Sequence, residues 1–191
     1  IFFLISILLD LPMPLVAIQL LWLNVVTDGL QDFALSFEKG TKDILKQPPI
    51  KPQESIFNKT LLSEIVVAGS IIGIIVLGVW YYLIKGIAMD TEIARGYIMC
   101  LMVFIQNIHV FNCRSEEKSA FSVPLKNNRL IVVGVVGSII LQFIVMEVPF
   151  LSGFLQTSSI PIVHLIYLFL IAGSILVLIE IYKKIRLSLK R

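Results

Sequence analysis

The chain has 191 residues, of which 57% are hydrophobic and only 15% are charged. Its mean hydropathy of +0.91 excludes an ordinary soluble domain and indicates an integral membrane protein, whose first partner is the lipid bilayer. The net charge of +3 comes from Lys and Arg in the connections between apolar segments, so it does not indicate a nucleic-acid partner.

Apolar segments long enough to cross about 30 Å of hydrocarbon as helices follow one another along the chain. The first run, residues 1–10, is short and is expected to be the end of a truncated transmembrane helix. The full predicted spans are 14–36, 61–84, 96–113, 129–148 and 161–182. Each run has the length of a helix and not the alternation of a membrane barrel. The sequence therefore predicts an all-α polytopic bundle of about five full helices plus a truncated first one.

The connections carry an uneven number of basic residues. There are five Lys in residues 37–60, none in residues 149–160, and five Lys or Arg in the tail after residue 182. Because Lys and Arg favour the cytoplasmic side of short loops, loop 37–60 and the C-terminus are expected in the cytoplasm. Residues 61–191 then comprise four further transmembrane helices and a basic cytoplasmic tail, and the short loops suit a bacterial cell membrane.

The span 14–36 contains a polar face. At 100° per residue, five of its polar side chains fall within an arc of about 140°; they are Asn24, Thr27, Asp28, Gln31 and Asp32. A charge at membrane depth costs at least about 2.5 to 3.5 kcal/mol, so two carboxylates there indicate an ion site. Carboxylate, amide and hydroxyl oxygens suit hard cations such as calcium. Gly29 weakens the helix, and a locally unwound turn would free backbone carbonyls for the ion.

Other interpretations of the polar residues stay open. Asn, Gln and Thr can simply join helices inside a membrane. Asp32 lies one turn nearer the cytoplasm than Asp28 and can line an entrance instead of binding the ion. Two carboxylates one turn apart repel each other without a cation, which favours proton counter-transport as a hypothesis. A soft-metal site on one face of span 96–113, from Gln106, His109 and Cys113, would need a fourth ligand.

Two stretches resemble one protein family. Residues 19–30, QLLWLNVVTDGL, closely resemble the sixth transmembrane helix of calcium-type P-type ATPases, and residues 43–49, DILKQPP, resemble the cytoplasmic loop that follows it. A weaker similarity continues to the C-terminus. The resemblance implies that the chain is the end of transmembrane helix five plus helices six to ten of an ATP-driven cation pump.

The resemblance also implies roles for residues. Asn24, Thr27 and Asp28 match cation ligands, and Asn24 favours calcium because sodium-pump and proton-potassium-pump relatives have an acidic residue there. Gln106, followed by residues 112–116, NCRSE, resembles the eighth helix, in which reticulum members have Glu at the position of Gln106. A single-ion pump is therefore the expectation, with Gln106 as a possible ligand.

The catalytic machinery of such pumps lies in other domains. ATP and magnesium act in cytoplasmic domains that carry an Asp-Lys-Thr-Gly motif, which this chain lacks. Those domains are the implied partners, and the chain alone is expected to be inactive as an enzyme. A self-contained carrier or channel with a pore-lining polar helix is the rival interpretation, and a non-transporting membrane scaffold is a third.

Overall fold

The computed structural model describes residues 2–39, 59–115 and 118–189, and within these ranges it forms a bundle of helices without strands. The helices are α1 Phe2–Leu8, α2 Ala17–Leu23, α3 Leu30–Leu35, α4 Lys59–Tyr81, α5 Thr91–Cys113, α6 Arg129–Glu147, α7 Pro149–Phe154 and α8 Ile162–Leu189. The predicted all-α class is confirmed. Most of the predicted loop 37–60 lies outside the described residues, as do Glu116 and the last two residues of the tail.

Four helices are long and apolar enough to cross a membrane in the part of the chain that the structure describes. They are α4 with its continuation to Gly86, α5, α6 and α8, and they correspond to the last four predicted spans. Helix α5 begins earlier than expected because Asp90 caps it. Its carboxylate accepts hydrogen bonds from the backbone N–H groups of Glu92 and Ile93, at 2.9 and 3.3 Å.

The predicted span 14–36 is not one regular helix. Helices α2 and α3 are joined by a π-helical segment, Asn24–Gly29, which we call the π-turn. Gly29 keeps helical angles of φ −57° and ψ −45°, so the expected unwound turn at this glycine is wrong. The helix is widened there and stays continuous.

The π-turn changes which side chains share a face. Bonds from i to i+5 add one residue to a turn, which rotates the following helix by about 100° relative to an uninterrupted α-helix. Thr27 and Gln31 are buried against the bundle, while Asn24 and Asp32 are exposed. The predicted polar arc is therefore split into a buried part and an exposed part.

Helix α5 is the central helix of the bundle. From Ala94 to Ile105 all its residues except Arg95 and Met102 are buried, and it packs against α2, α4, α6 and α8. The surrounding helices expose apolar side chains such as Val133, Ile166 and Leu170. In a bilayer these side chains face lipid, which is as apolar as they are.

One end of the bundle is held together by buried polar contacts. The Arg114 guanidinium makes a two-bond pair with the Glu38 carboxylate, at 2.9 and 2.8 Å, and donates to the carbonyl oxygens of Val123 and Pro124. The Asn128 amide donates to the Ala34 carbonyl oxygen at 2.7 Å, in the last turn of α3. Residues 14–38, which we call the polar span, are thus fixed to the connection between α5 and α6.

Candidate cation site

The π-turn brings Thr27 into contact with α5. The fully buried Thr27 hydroxyl lies 2.6 Å from the Leu23 carbonyl oxygen and makes a hydrogen bond to Oε1 of Gln106. Two residues that the sequence places in different spans therefore meet, and three oxygen atoms converge between α2 and α5. These three oxygen atoms form the centre of the candidate site.

Asp28 lies directly beside this contact. Its side chain is half-buried and interacts electrostatically with the Thr27 side chain and with the carboxylate of Asp32. Asn24 and Asp32 are exposed, on the part of the segment that the bundle leaves open. The structure thus places Thr27 and Gln106 together with Asp28 next to them, and it places Asn24 and Asp32 at the periphery.

The donor set consists of oxygen atoms from a carboxylate, a hydroxyl and side-chain amides. Calcium takes six to eight oxygen ligands at flexible geometry, so these side chains could hold part of its coordination shell. The exposed side of Asn24 and Asp28 leaves room for further ligands. Chemically, the arrangement suits a hard cation approached from the open side of the π-turn.

A second polar chain lies next to the site, and two of its members, Asn107 and Ser138, are not singled out by the sequence. The Gln31 amide donates to Oδ1 of Asn107 at 3.0 Å, and the Asn107 amide donates to the Val103 carbonyl oxygen at 2.8 Å and to the Ser138 hydroxyl at 2.9 Å. Gln31, Asn107 and Ser138 are all buried. Asn107 could have been noticed as a second amide directly after Gln106 in an apolar helix.

The other end of the polar span is also hydrogen-bonded to the bundle. The Trp22 indole N–H donates to Oε1 of Gln142 in α6 at 2.9 Å. The fully buried Gln19 amide donates to the carbonyl oxygens of Leu155 and Gln156, each at 3.1 Å. The π-turn therefore lies between two groups of buried hydrogen bonds.

The structure supplies no further ligand for a soft-metal site at His109 and Cys113 among the residues that it describes. Nε2 of His109 lies 3.5 Å from Sγ of Cys113, beside a cavity of about 180 Å³ between α4, α5 and α8. Glu64 also lines this cavity, but its carboxylate is paired with Arg186. Among the residues that the structure describes, no group of three or more His, Cys, Asp or Glu side chains could hold a metal ion.

Residues 12–185 match the family model described as "Cation transporting ATPase, C-terminus". The chain is 32% identical over 181 residues to calcium-transporting ATPase type 2C member 1 of Homo sapiens, covering 95% of this chain and 20% of that protein. It is 34% identical over 179 residues to a calcium-transporting ATPase of Bacillus subtilis (strain 168), covering 90% of this chain and 20% of that protein. The chain thus spans about a fifth of the length of these relatives.

Proposed function

Because the chain belongs to the cation-transporting ATPase family, as the C-terminal membrane region of such proteins, we propose that it supplies part of the transmembrane ion site of an ATP-driven pump. The observation that carries this proposal is the contact between Thr27 and Gln106 directly beside the Asp28 carboxylate. A membrane-embedded carboxylate is costly unless an ion uses it, and here a buried hydroxyl and an amide oxygen lie beside it as neutral ligands.

The proposed ion is calcium. Relatives in two distant organisms are named calcium-transporting ATPases, and the side chains offer oxygen ligands only. Asp28 supplies the negative charge, while Asn24, Thr27 and Gln106 supply neutral oxygens. Asp32, which is exposed, lines the entrance to the site.

The rest of the proposed pump lies outside this chain. ATP and magnesium act in cytoplasmic domains of a longer protein, where an aspartyl phosphate forms and drives the alternation between two access states. The multi-pass helices lie in a membrane. We propose that this is the cell membrane, with the C-terminus and loop 37–60 on the cytoplasmic side facing those domains.

The test is phosphorylation of the full-length protein from ATP, measured across a series of cations. Asp28→Asn should abolish phosphorylation stimulated by calcium, whereas Gln106→Glu, which adds a charged ligand, should retain it with altered cation affinity. Asp10→Asn is the matched control, because Asp10 is exposed and its φ of 51° is one that Asn tolerates. Normal calcium-stimulated phosphorylation of Asp28→Asn would exclude the proposed site.

A further inference from the structure

Helix α5 contacts the polar span through two successive amides. Gln106 meets Thr27, and Asn107 accepts a hydrogen bond from Gln31 at 3.0 Å. Thr27 and Gln31 are four residues apart and lie on either side of Asp28 in the sequence. The two contacts therefore hold the chain before and after the carboxylate.

The orientation of the Asn107 amide is fixed by its surroundings. A backbone carbonyl can only accept hydrogen bonds, so the group that faces the Val103 carbonyl oxygen at 2.8 Å must be the NH₂ group of Asn107. The same NH₂ group reaches the Ser138 hydroxyl at 2.9 Å, which leaves Oδ1 to accept from Gln31. All three hydrogen bonds are buried, so breaking one leaves a polar group unsatisfied.

Helix α6 packs closely against α3 and contributes the third residue of this hydrogen-bonded group, Ser138. A Cβ atom added to Gly134 would lie 3.5 Å from the Leu30 carbonyl oxygen and 3.8 Å from Cβ of Ala34, so α6 and α3 pack with a glycine between them. Ser138 lies one turn further along α6 and is fully buried. Gln31, Asn107 and Ser138 thereby join α3, α5 and α6 at one level.

We propose that Gln31, Asn107 and Ser138 are positioning residues that fix the rotation of α3 about its axis, and that they thereby direct the Asp28 carboxylate toward the Thr27–Gln106 contact and set cation affinity. The proposal rests on the proposed function of that contact. None of the three side chains is assigned to the ion. Their action is through the backbone on either side of Asp28, in the way that groups behind metal ligands tune a site.

The test compares single and double variants of the full-length protein. Gln31→Leu and Asn107→Leu should each raise the calcium concentration for half-maximal phosphorylation by roughly 10- to 100-fold, with the maximal level retained. Each single variant strands a buried polar group and should also lower the Tm. The double variant Gln31→Leu/Asn107→Leu removes both partners of their shared hydrogen bond and strands only the Ser138 hydroxyl, so its Tm should recover in part while its calcium affinity stays low.

The double variant separates positioning from simple stabilisation. Recovery of both the Tm and the calcium affinity would overturn the proposal, as would wild-type affinity in either single variant. If a single variant does not fold, the double variant alone decides between these outcomes. Ser138→Ala should give a smaller shift in affinity, and Ser174→Ala is its control, because that hydroxyl donates to the Ile171 carbonyl oxygen of its own helix at 2.6 Å.

The proposed function is tested separately by Asp28→Asn. Loss of calcium-stimulated phosphorylation in Asp28→Asn, together with wild-type affinity in Gln31→Leu and Asn107→Leu, would leave the site in place and reject only the positioning role. An unaffected Asp28→Asn would reject the site, and the positioning role with it.

Discussion

Arg114 shows at the level of a single residue how the polar span is attached. The side chains of Arg114 and Glu38 are 1% and 14% exposed, so the pair is shielded from water. The guanidinium uses its planar fork on the carboxylate and its remaining donors on the carbonyl oxygens of Val123 and Pro124. Removing one partner of such a pair leaves a buried charge without compensation.

Arg114→Ala should therefore lower the free energy of unfolding by about 3 to 5 kcal/mol. Arg129→Ala is the control, since Arg129 is exposed at the start of α6. Thermal unfolding of the full-length protein in detergent measures both variants. Equal Tm values for the two would show that the pair with Glu38 contributes nothing to stability.

The sequence was informative about some of these residues and silent about others. Thr27, Asp28 and Gln106 could be selected because polar side chains in an apolar span are costly and because the span resembles a known helix. Gln31 lies on the predicted polar arc, but the sequence does not indicate that its hydrogen-bond partner is Asn107. The pairing depends on the rotation between two spans that are distant in sequence, and no local pattern encodes that rotation.

At the level of the element, the π-turn is the distinctive feature of the polar span. A π-turn within an α-helix is rare and is often found at functional sites. Gly29 ends the π-turn with ordinary helical angles, and a Cβ atom added there would lie 3.4 Å from the Asn24 carbonyl oxygen. Alanine can therefore be accommodated, with slight adjustment, at this position.

Gly29→Ala should raise the Tm while lowering the apparent affinity for calcium. Alanine favours a regular α-helix over glycine by about 1 kcal/mol, and a regular helix would rotate Asp28 away from the Thr27–Gln106 contact. Thermal unfolding and calcium-stimulated phosphorylation measure the two effects. Gly78→Ala in α4 is the control, since a Cβ atom there meets nothing within 4 Å. Unchanged affinity in Gly29→Ala would show that the site does not depend on the π-turn.

The elements themselves were largely predictable from hydrophobic length. Helices α4, α5, α6 and α8 coincide with predicted spans, with ends that differ by several residues because of local features such as the Asp90 cap. The π-turn was not predictable. Gly29 weakens the helix, which the sequence shows, but whether the chain unwinds or widens depends on the contacts made by Thr27 and Gln31.

At the scale of the whole molecule, the least apolar of the four long helices is also the most deeply buried. Helix α5 has a mean hydropathy of 1.4, against 2.4 to 2.7 for α4, α6 and α8. In a membrane, lipid-facing helices must be apolar, whereas a central helix can carry polar side chains such as Gln106, Asn107 and Asn112. The low hydropathy of α5 was thus a sequence signal for the centre of the bundle.

The distribution of basic residues predicts the orientation of the molecule. Labelling of introduced cysteines tests it, in a background with Cys100→Ala and Cys113→Ala. Ser158→Cys should react with an impermeant maleimide from outside intact cells, and Phe121→Cys only after permeabilisation. Both positions are exposed, but residues 149–160 contain no Lys or Arg, whereas the connection with Phe121 has four, Arg114, Lys118, Lys126 and Arg129. Labelling of both positions from the same side would contradict the orientation.

The attachment of the polar span at several depths has a mechanical consequence. From Gln19 to Glu38 it is joined to the bundle by buried or partly buried hydrogen bonds that involve α5, α6 and the segments after α5 and α7. Each is worth about 1 kcal/mol and all would have to break together if the span tilted as a rigid rod. Rigid tilting of the polar span is therefore opposed at several depths at once, so the span and the helices around it behave as one mechanical unit.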